Sequence, residues 1–493
     1  MRLAIIVIVI SVSVGVVVSW SPLVGATILV LGLGLAVGRK SIVRAVGAHN
    51  SESRVAPAWP LIAMPTLLGL RAWEPHLVTL ILMVLVVTLS VRAQNYRISW
   101  PIFILTVIAI AFAQRRDSIA LETLNSALLV ALLYFATRRY GMKRGTDALL
   151  GGIALYLCVN VVLFYIFGLD SPQATDRLAG MVGGSLEERA FFPLTTSVNL
   201  PPSLAAAFLV ATAPRLLASP IQAGLFIWLG VVAGITVLWG ASSRASILLT
   251  LVLILAVIVI PVLSVRLTRV VLVMFAFGAV ALPVVVVALS SPILWLGRYL
   301  PLIDRGSGIE EIQTLNGRTY IWQVSAEAWR DANPIDKILG FGHPGTTLSN
   351  ASNGFAYLFR DWMSDPTLAT AHNSSLQQLL DAGVVGLVAL MFVAILAGGA
   401  LRRRYRMLPL AATSLAFALL ALAGAAMTEA SLAPGLSQET FWVFIAFCFF
   451  ASASPMLDTK EVASGTTTDL RQIAEGANCT DPVRTEAGRG DVG

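Results

Sequence analysis

The sequence predicts an all-α polytopic membrane protein with about 12–14 transmembrane helices and a large, partly helical extracytoplasmic loop before the last three spans. Of its 493 residues, 57% are hydrophobic and only 12% are charged, whereas a soluble domain carries about 25% charged residues. The mean hydropathy is +0.81. One water-soluble core cannot bury so many apolar side chains, and most of them must therefore face lipid.

Fourteen apolar runs are candidates for membrane-spanning helices, each of which needs about 20 mostly apolar residues. The run 57–73 contains three prolines and the run 99–113 is short, so both are open to a re-entrant or broken interpretation, which leaves ten to fourteen spans. The fourteen runs are 3–18, 22–37, 57–73, 75–91, 99–113, 118–136, 146–168, 199–217, 221–239, 245–263, 270–289, 375–400, 408–427 and 438–453.

The basic residues indicate the orientation of the chain, because cytoplasmic loops are enriched in Lys and Arg. With the N-terminus inside and every run crossing, each dense basic cluster, such as Arg402–Arg404, falls on the cytoplasmic side. We therefore expect a multi-pass protein of the cell inner or plasma membrane with both termini in the cytoplasm. The predicted parts are an N-terminal bundle (1–289), an extracytoplasmic loop with the catalytic elements (290–373), C-terminal helices (374–453) and a disordered cytoplasmic tail (454–493).

The long loop contains a predicted amphipathic helix. Its Arg318, Trp322, Ser325 and Trp329 are spaced so that they share one helical face. One interpretation is a helix lying at the interface, with tryptophan anchors and a snorkelling arginine. The other is that Arg318 faces a pocket and holds an anion. The pattern leaves both open.

A second candidate is His372, which lies just before a predicted helix. Ser374 and Gln377 fit a capping box, so we expect a helix that begins near Ser374 and continues into the membrane. The positive end of the helix dipole disfavours imidazolium there, and a neutral imidazole could take a proton from a hydroxyl. The alternative is a loop histidine bonded to the backbone.

A third candidate is Arg244, between two long apolar runs. An arginine so near hydrocarbon is costly unless it snorkels or pairs; its guanidinium could hold phosphate oxygens bidentately, or it could be an ordinary interfacial residue. Gly340 and Gly342 allow either a plain turn or a close approach to a ligand. The four histidines are scattered and no Gly-x-Ser-x-Gly occurs, so we expect no metal, no cofactor and no serine nucleophile.

Read in order, these elements resemble the O-antigen ligase and Wzy-type polysaccharide polymerase family over about 240–390. The elements are Ser243-Arg244-Ala245-Ser246, Asn316-Gly317-Arg318 with Ile321-Trp322, Gly340-x-Gly342, Ala371-His372-Asn373-x-x-Leu376-Gln377 and Gly383-x-x-Gly386-Leu387. Asn316 stands where the family often has Ser.

The resemblance implies a membrane glycosyltransferase of the GT-C type that needs neither metal nor nucleotide sugar. Its donor would be a glycan on undecaprenyl pyrophosphate, and its acceptor a hydroxyl of a glycan, lipid or protein outside the cytoplasmic membrane. Matched by motif, Arg244 and Arg318 would hold the pyrophosphate, and His372 would be the base or orient the acceptor. The other expected substrate-binding residues are Trp322, Gly340, Gly342 and Asn373.

Two other classes share the span count. A flippase or transporter for lipid-linked sugars would need intramembrane charges or broken helices at the midplane, and the main acidic candidates, Glu122 and Glu429, lie towards outer ends of spans. A membrane scaffold would use the long loop as a partner surface. Nucleic acid is not an expected partner, because the basic residues sit in short clusters between apolar runs. Ligase and polymerase are not distinguished.

Overall fold

The computed structural model describes residues 58–91, 95–114, 120–172, 190–218, 224–259, 268, 317–360, 365–434 and 438–455. Its α-helices are α1 (Trp59–Leu70), α2 (Pro75–Ser90), α3 (Trp100–Ala113), α4 (Ala120–Tyr165), α5 (Leu200–Ala218), α6 (Gly224–Gly240), α7 (Arg244–Val259), α8 (Arg318–Asp331), α9 (Pro334–Leu339), α10 (Gly345–Leu348), α11 (Ala351–Phe355), α12 (Ser374–Arg404), α13 (Pro409–Ala426) and α14 (Glu439–Ser452). Two 3₁₀ helices (Ala356–Phe359 and Pro366–Leu368) and two strands, β1 (Tyr96–Arg97) and β2 (Ser454–Pro455), complete the elements.

The chain is an all-α polytopic membrane protein, as predicted. Among the described residues, four helices are long and apolar enough to cross a membrane: α4, α5, α12 and α13. Six shorter apolar helices accompany them: α1, α2, α3, α6, α7 and α14. The apolar runs predicted at 3–18, 22–37 and 270–289, and the tail beyond Pro455, lie outside the described residues.

Helix α2 shows why these helices are apolar on every side. One stripe, with the spacing of a single helical face, is buried in the bundle: Val78, Leu82, Leu85 and Leu89. Other apolar side chains of the same helix are exposed: Leu80, Val84 and Val87. Because the exposed face contacts lipid in a membrane, it needs no polar residues, and the sequence carries no amphipathic pattern there.

The 46-residue helix α4 is broken at Gly141, which has φ 63° and ψ −171°. An unbroken helix of that length would extend about 70 Å, more than twice the hydrocarbon thickness. Such a left-handed conformation costs glycine little. The predicted spans 118–136 and 146–168 are therefore the two segments of α4, joined at one residue instead of by a loop.

The two segments of α4 run in opposite directions. Glu122, in the first segment, pairs with Arg71 at the end of α1. The hydroxyl of Tyr156, in the second segment, donates to the Leu194 carbonyl at 2.8 Å. Leu194 in turn packs against Gly69, where a Cβ would lie 2.5 Å from the Leu194 oxygen. Both segments thus reach the same end of α1, which requires the chain to turn back at the break.

Helix α12 has a second break, at Gly383 (φ 66°, ψ −166°). A Cβ on Gly386 would lie 3.0 Å from Nε2 of Gln378, although eight residues of straight helix would separate them by about 12 Å. The segments before and after the break therefore fold towards each other. A helix does begin at Ser374, as predicted, and its backbone is broken at Gly383.

Replacing Gly383 by alanine should destabilise the protein more than the same change at Gly168. Both glycines have left-handed φ, +66° and +63°, which costs an alanine about 1–2 kcal/mol. A Cβ at Gly383 would also lie 2.3 Å from the Ile338 oxygen, whereas nothing lies within 4 Å of one at Gly168. Thermal unfolding of both detergent-solubilised variants measures the difference; equal midpoints would contradict the close packing at Gly383.

Candidate active site

Arg318 opens α8, directly after Gly317, whose φ is 79°. Its guanidinium pairs with the carboxylate of Glu429. On the next turn Trp322 is only 3% exposed, so it is a packed side chain and not an exposed anchor in the headgroups. These contacts favour the interpretation in which Arg318 faces a polar site over the one in which it snorkels along the interface.

His372 lies just before α12, one residue ahead of its N-cap Asn373, and its φ of 47° is rare for a residue with a side chain. Its Nδ1 lies 3.2 Å from Oε2 of Glu429. The ring of Phe359 stacks on the imidazole with centroids 5.5 Å apart and an interplanar angle of 11°. The Trp322 indole N–H donates to the His372 carbonyl at 3.3 Å. The imidazole is therefore oriented by a carboxylate, a stacked ring and an anchored backbone.

The residue that caps α12 is Asn373, and the prediction that Ser374 forms the capping box was wrong. Oδ1 of Asn373 accepts hydrogen bonds from the N–H groups of Ser375 and Leu376 at 3.0 and 3.1 Å. Gln377 does not close a box on Ser374; its Oε1 accepts from the N–H of Ala371 at 2.9 Å. The helix nevertheless begins at Ser374, close to the predicted position, since asparagine is as favourable an N-cap as serine.

Ser374 and Asn373 instead fasten α12 to the connection that follows α13. The Ser374 hydroxyl donates to the Glu429 carbonyl at 2.7 Å and accepts from the Leu432 N–H at 2.8 Å. Nδ2 of Asn373 donates to the Met427 carbonyl at 2.8 Å. These bonds hold the backbone of Glu429 beside His372, so the position of the carboxylate is set by the start of α12.

Glu429 is the centre of the site, and it was not among the predicted site residues. Its Oε1 accepts from Nη2 of Arg318 and, at 2.8 Å, from Nδ2 of Asn199. Its Oε2 contacts His372, and its side chain is 13% exposed. The signal in the sequence was an acidic residue at the end of an apolar run, because a charge so close to hydrocarbon is costly unless it is paired. From the sequence alone, Glu429 was considered only as a charge that a transporter could use.

Arg244 is the first residue of α7, and its side chain lies outside the part that the structure describes. The turn before it contains Ser242 with a left-handed φ of 47°. Five residues into α7, Leu249 packs against α13, where a Cβ on Gly424 would lie 2.8 Å from its Cδ1. Gly424 also lies five residues before Glu429, so the backbone of Arg244 starts near the level of the carboxylate.

Gly340 and Gly342 lie in a turn that packs on the break in α12. A Cβ on Gly340 would lie 2.4 Å from the backbone nitrogen of Ala382, and the N–H of Gly342 donates to the Asp381 carbonyl at 2.8 Å. The close approach that these glycines allow is therefore made to the α12 backbone. Their role in substrate binding remains a prediction.

Within the described ranges, no group of three or more His, Cys, Asp or Glu side chains is placed to hold a metal ion. Residues 229–391 match the family model described as O-antigen ligase, which confirms the predicted resemblance to that family. A comparison with curated proteins found no match. The matched segment includes Arg244, Arg318 and His372, whereas Glu429 and Asn199 lie outside it.

Proposed function

We propose that this chain, which carries an O-antigen ligase domain at residues 229–391, transfers a glycan from a polyprenyl-pyrophosphate donor to an acceptor hydroxyl on the extracytoplasmic side of the membrane. The observation that carries the proposal is the junction at Glu429, where one carboxylate joins the guanidinium of Arg318 to the imidazole of His372. A cation for pyrophosphate and a base for a hydroxyl are the two groups that such a transfer needs.

The contact with Glu429 favours one tautomer of His372. An ionised carboxylate can only accept hydrogen bonds, so the proton of a neutral imidazole is on Nδ1, 3.2 Å from Oε2. The lone pair is then on Nε2, where it can accept the proton of an acceptor hydroxyl. The carboxylate also stabilises the imidazolium that forms as the proton moves.

Arg318 has more N–H donors than its contact with Glu429 uses. A guanidinium carries five N–H donors in a planar fork, and the bond to Glu429 is made through Nη2. The remaining donors suit pyrophosphate oxygens, and Arg244 is our second candidate for the same charge. Fixed donors aimed at oxygens whose negative charge grows during bond cleavage stabilise the transition state more than the ground state.

The reaction balances with these groups alone. The acceptor oxygen forms a bond to the anomeric carbon while the bond from that carbon to the pyrophosphate oxygen breaks and leaves its electron pair on the pyrophosphate. The hydroxyl proton passes to Nε2 of His372. The products are the extended or ligated glycan and polyprenyl pyrophosphate, whose charge the arginines hold.

The positions of basic residues support an outward-facing site. Helix α12 ends with Arg402, Arg403 and Arg404, whereas His372 lies at its other end. Basic clusters at span ends mark the cytoplasmic side. The lipid tail of the donor would then remain in the outer leaflet, with its pyrophosphate at the depth of Arg318 and His372.

The direct test is an assay with the purified protein, a pyrophosphate-linked glycan donor, and three acceptors taken in turn: a lipid A core, a second lipid-linked glycan and an acceptor protein. We expect polyprenyl pyrophosphate release and a gel-shifted product with one of them, and the productive acceptor separates ligase from polymerase. Movement of intact donor across vesicles without cleavage would instead indicate a flippase and contradict the proposal.

Replacing Arg318 by lysine should raise the KM for the donor about 10- to 100-fold, because one ammonium cannot serve both Glu429 and a pyrophosphate as a planar fork does. Donor titration of the transfer rate measures this. Arg330→Lys is the matched control: it lies on the same helix, its side chain is 69% exposed, and it contacts Asp331. An unchanged donor KM in Arg318→Lys would indicate that Arg318 has a purely structural role and does not bind the donor.

A further inference from the structure

Asn199 occupies the N-cap position of α5, but its side chain cannot make the usual capping hydrogen bond. An N-cap side chain accepts a hydrogen bond from the N–H of the second or third helical residue. In α5 these residues are Pro201 and Pro202, which have no N–H. The backbone carbonyl of Asn199 already accepts from the hydroxyl of Ser203 at 2.8 Å. Helix capping therefore does not explain an asparagine at this position.

The side chain of Asn199 reaches the candidate active site instead. Its Nδ2 donates to Oε1 of Glu429 at 2.8 Å, across 230 residues of sequence. The same oxygen accepts from Nη2 of Arg318, while the other oxygen faces Nδ1 of His372. The described groups that face the carboxylate therefore include one guanidinium, one imidazole and one amide, and the amide shares Oε1 with the guanidinium.

We infer that Asn199 is a positioning residue for glycan transfer, which keeps one oxygen of Glu429 on His372. The inference rests on the proposed function. A carboxylate beside an arginine tends to turn so that both of its oxygens face the guanidinium fork. With Asn199 and Arg318 both on Oε1, Oε2 stays with the imidazole. Without Asn199, Oε2 turns towards Arg318, and the imidazole loses the partner that orients it.

The rival role for Asn199 is purely structural, as a tie between the start of α5 and the connection after α13. The two roles differ in what they change. If the role is structural, loss of the hydrogen bond from Asn199 lowers the stability of the fold and does not change the ionisation of the site. A carboxylate that turns away from His372 no longer stabilises the charged form of the imidazole and no longer orients the ring, so the pH dependence of turnover changes.

The test is the pH profile of kcat for the full-length Asn199→Ala variant with the lipid-linked donor. We expect kcat to fall about tenfold, the cost of one hydrogen bond to a charged group. The donor KM should stay within about twofold, because Arg318 remains. The acidic limb of the profile should move to lower pH, because a carboxylate that has turned to Arg318 no longer stabilises the imidazolium form of His372, the form that cannot accept a proton.

A matched control is Asn160→Ala. Asn160 is buried, accepts from the Leu194 N–H at 2.9 Å and donates to the Tyr156 carbonyl at 3.0 Å, so it holds the same 190–199 segment at a different point. Its loss should lower thermal stability without moving the acidic limb. In a Glu429→Gln background, Asn199→Ala should cost little more, because the group that it positions is gone.

Three outcomes decide the inference. The inference is supported if the wild-type protein is active, the acidic limb shifts in Asn199→Ala, and the acidic limb does not shift in Asn160→Ala. An unchanged limb in Asn199→Ala, or the same shift in Asn160→Ala, overturns the role of Asn199 and leaves the proposed function standing. A wild-type protein that releases no polyprenyl pyrophosphate with any of the three acceptors overturns both.

Discussion

Replacing His372 by alanine should lower glycan transfer about 10²- to 10⁴-fold, which is the contribution of a positioned general base. The donor KM should change little, because the arginines that would hold the pyrophosphate remain. The backbone should also remain in place, since α12 is capped by Asn373 and not by the histidine. The measurement is the rate of polyprenyl pyrophosphate release at saturating donor, together with the thermal unfolding midpoint.

His343→Ala is the control, because it removes the other described histidine between α7 and α12. His343 contacts Oδ2 of Asp381 at 3.2 Å, and that carboxylate keeps the N–H of Gly345 and Nε2 of Gln377 as donors when the imidazole is gone. We expect its transfer rate to stay within a few-fold of wild type. Equal losses in the two histidine variants would argue against a base at His372.

The spans and the helix at 318–331 could be predicted because local patterns encode them: long apolar runs, and an apolar face at helical spacing in a polar segment. The breaks at Gly141 and Gly383 could not. A glycine in a helical pattern is usually tolerated at modest cost, and nothing next to Gly141 in the sequence shows that a Cβ added there would lie 2.6 Å from the Tyr96 ring. Such breaks follow from tertiary packing.

The same distinction applies to the candidate site. Arg318 and His372 lie in recognisable local contexts, an arginine opening a helix and a histidine before one. Glu429 is 57 residues after His372 and 111 after Arg318, at the end of an apolar helix with no pattern around it. Asn199 precedes two prolines and resembles an ordinary helix start. Only the fold shows that these four side chains meet.

Replacing Glu429 by glutamine should lower transfer about 10²- to 10⁴-fold, although the side chain keeps its size. An amide has one oxygen and one NH₂ group, so it cannot accept from Arg318 and Asn199 on one side and from Nδ1–H of His372 on the other. If the NH₂ faces the imidazole, it favours the tautomer with its proton on Nε2, which cannot act as a base. Glu429→Asp keeps the charge, but its shorter side chain places the carboxylate farther from its partners, so we expect a smaller loss of transfer.

Glu122→Gln is the matched control for this charge change, since Glu122 also pairs with an arginine, Arg71, and the two acidic side chains are similarly shielded at 24% and 13% exposed. Both variants leave an arginine without its carboxylate and should lose comparable stability, yet only Glu429→Gln should lose transfer at pH values where the wild type is fully active. If both lost transfer in proportion to stability, Glu429 would be a structural residue and the carboxylate–imidazole mechanism would be wrong. A loss confined to Glu429→Gln, with donor binding retained, is the result that a tautomer-setting carboxylate requires.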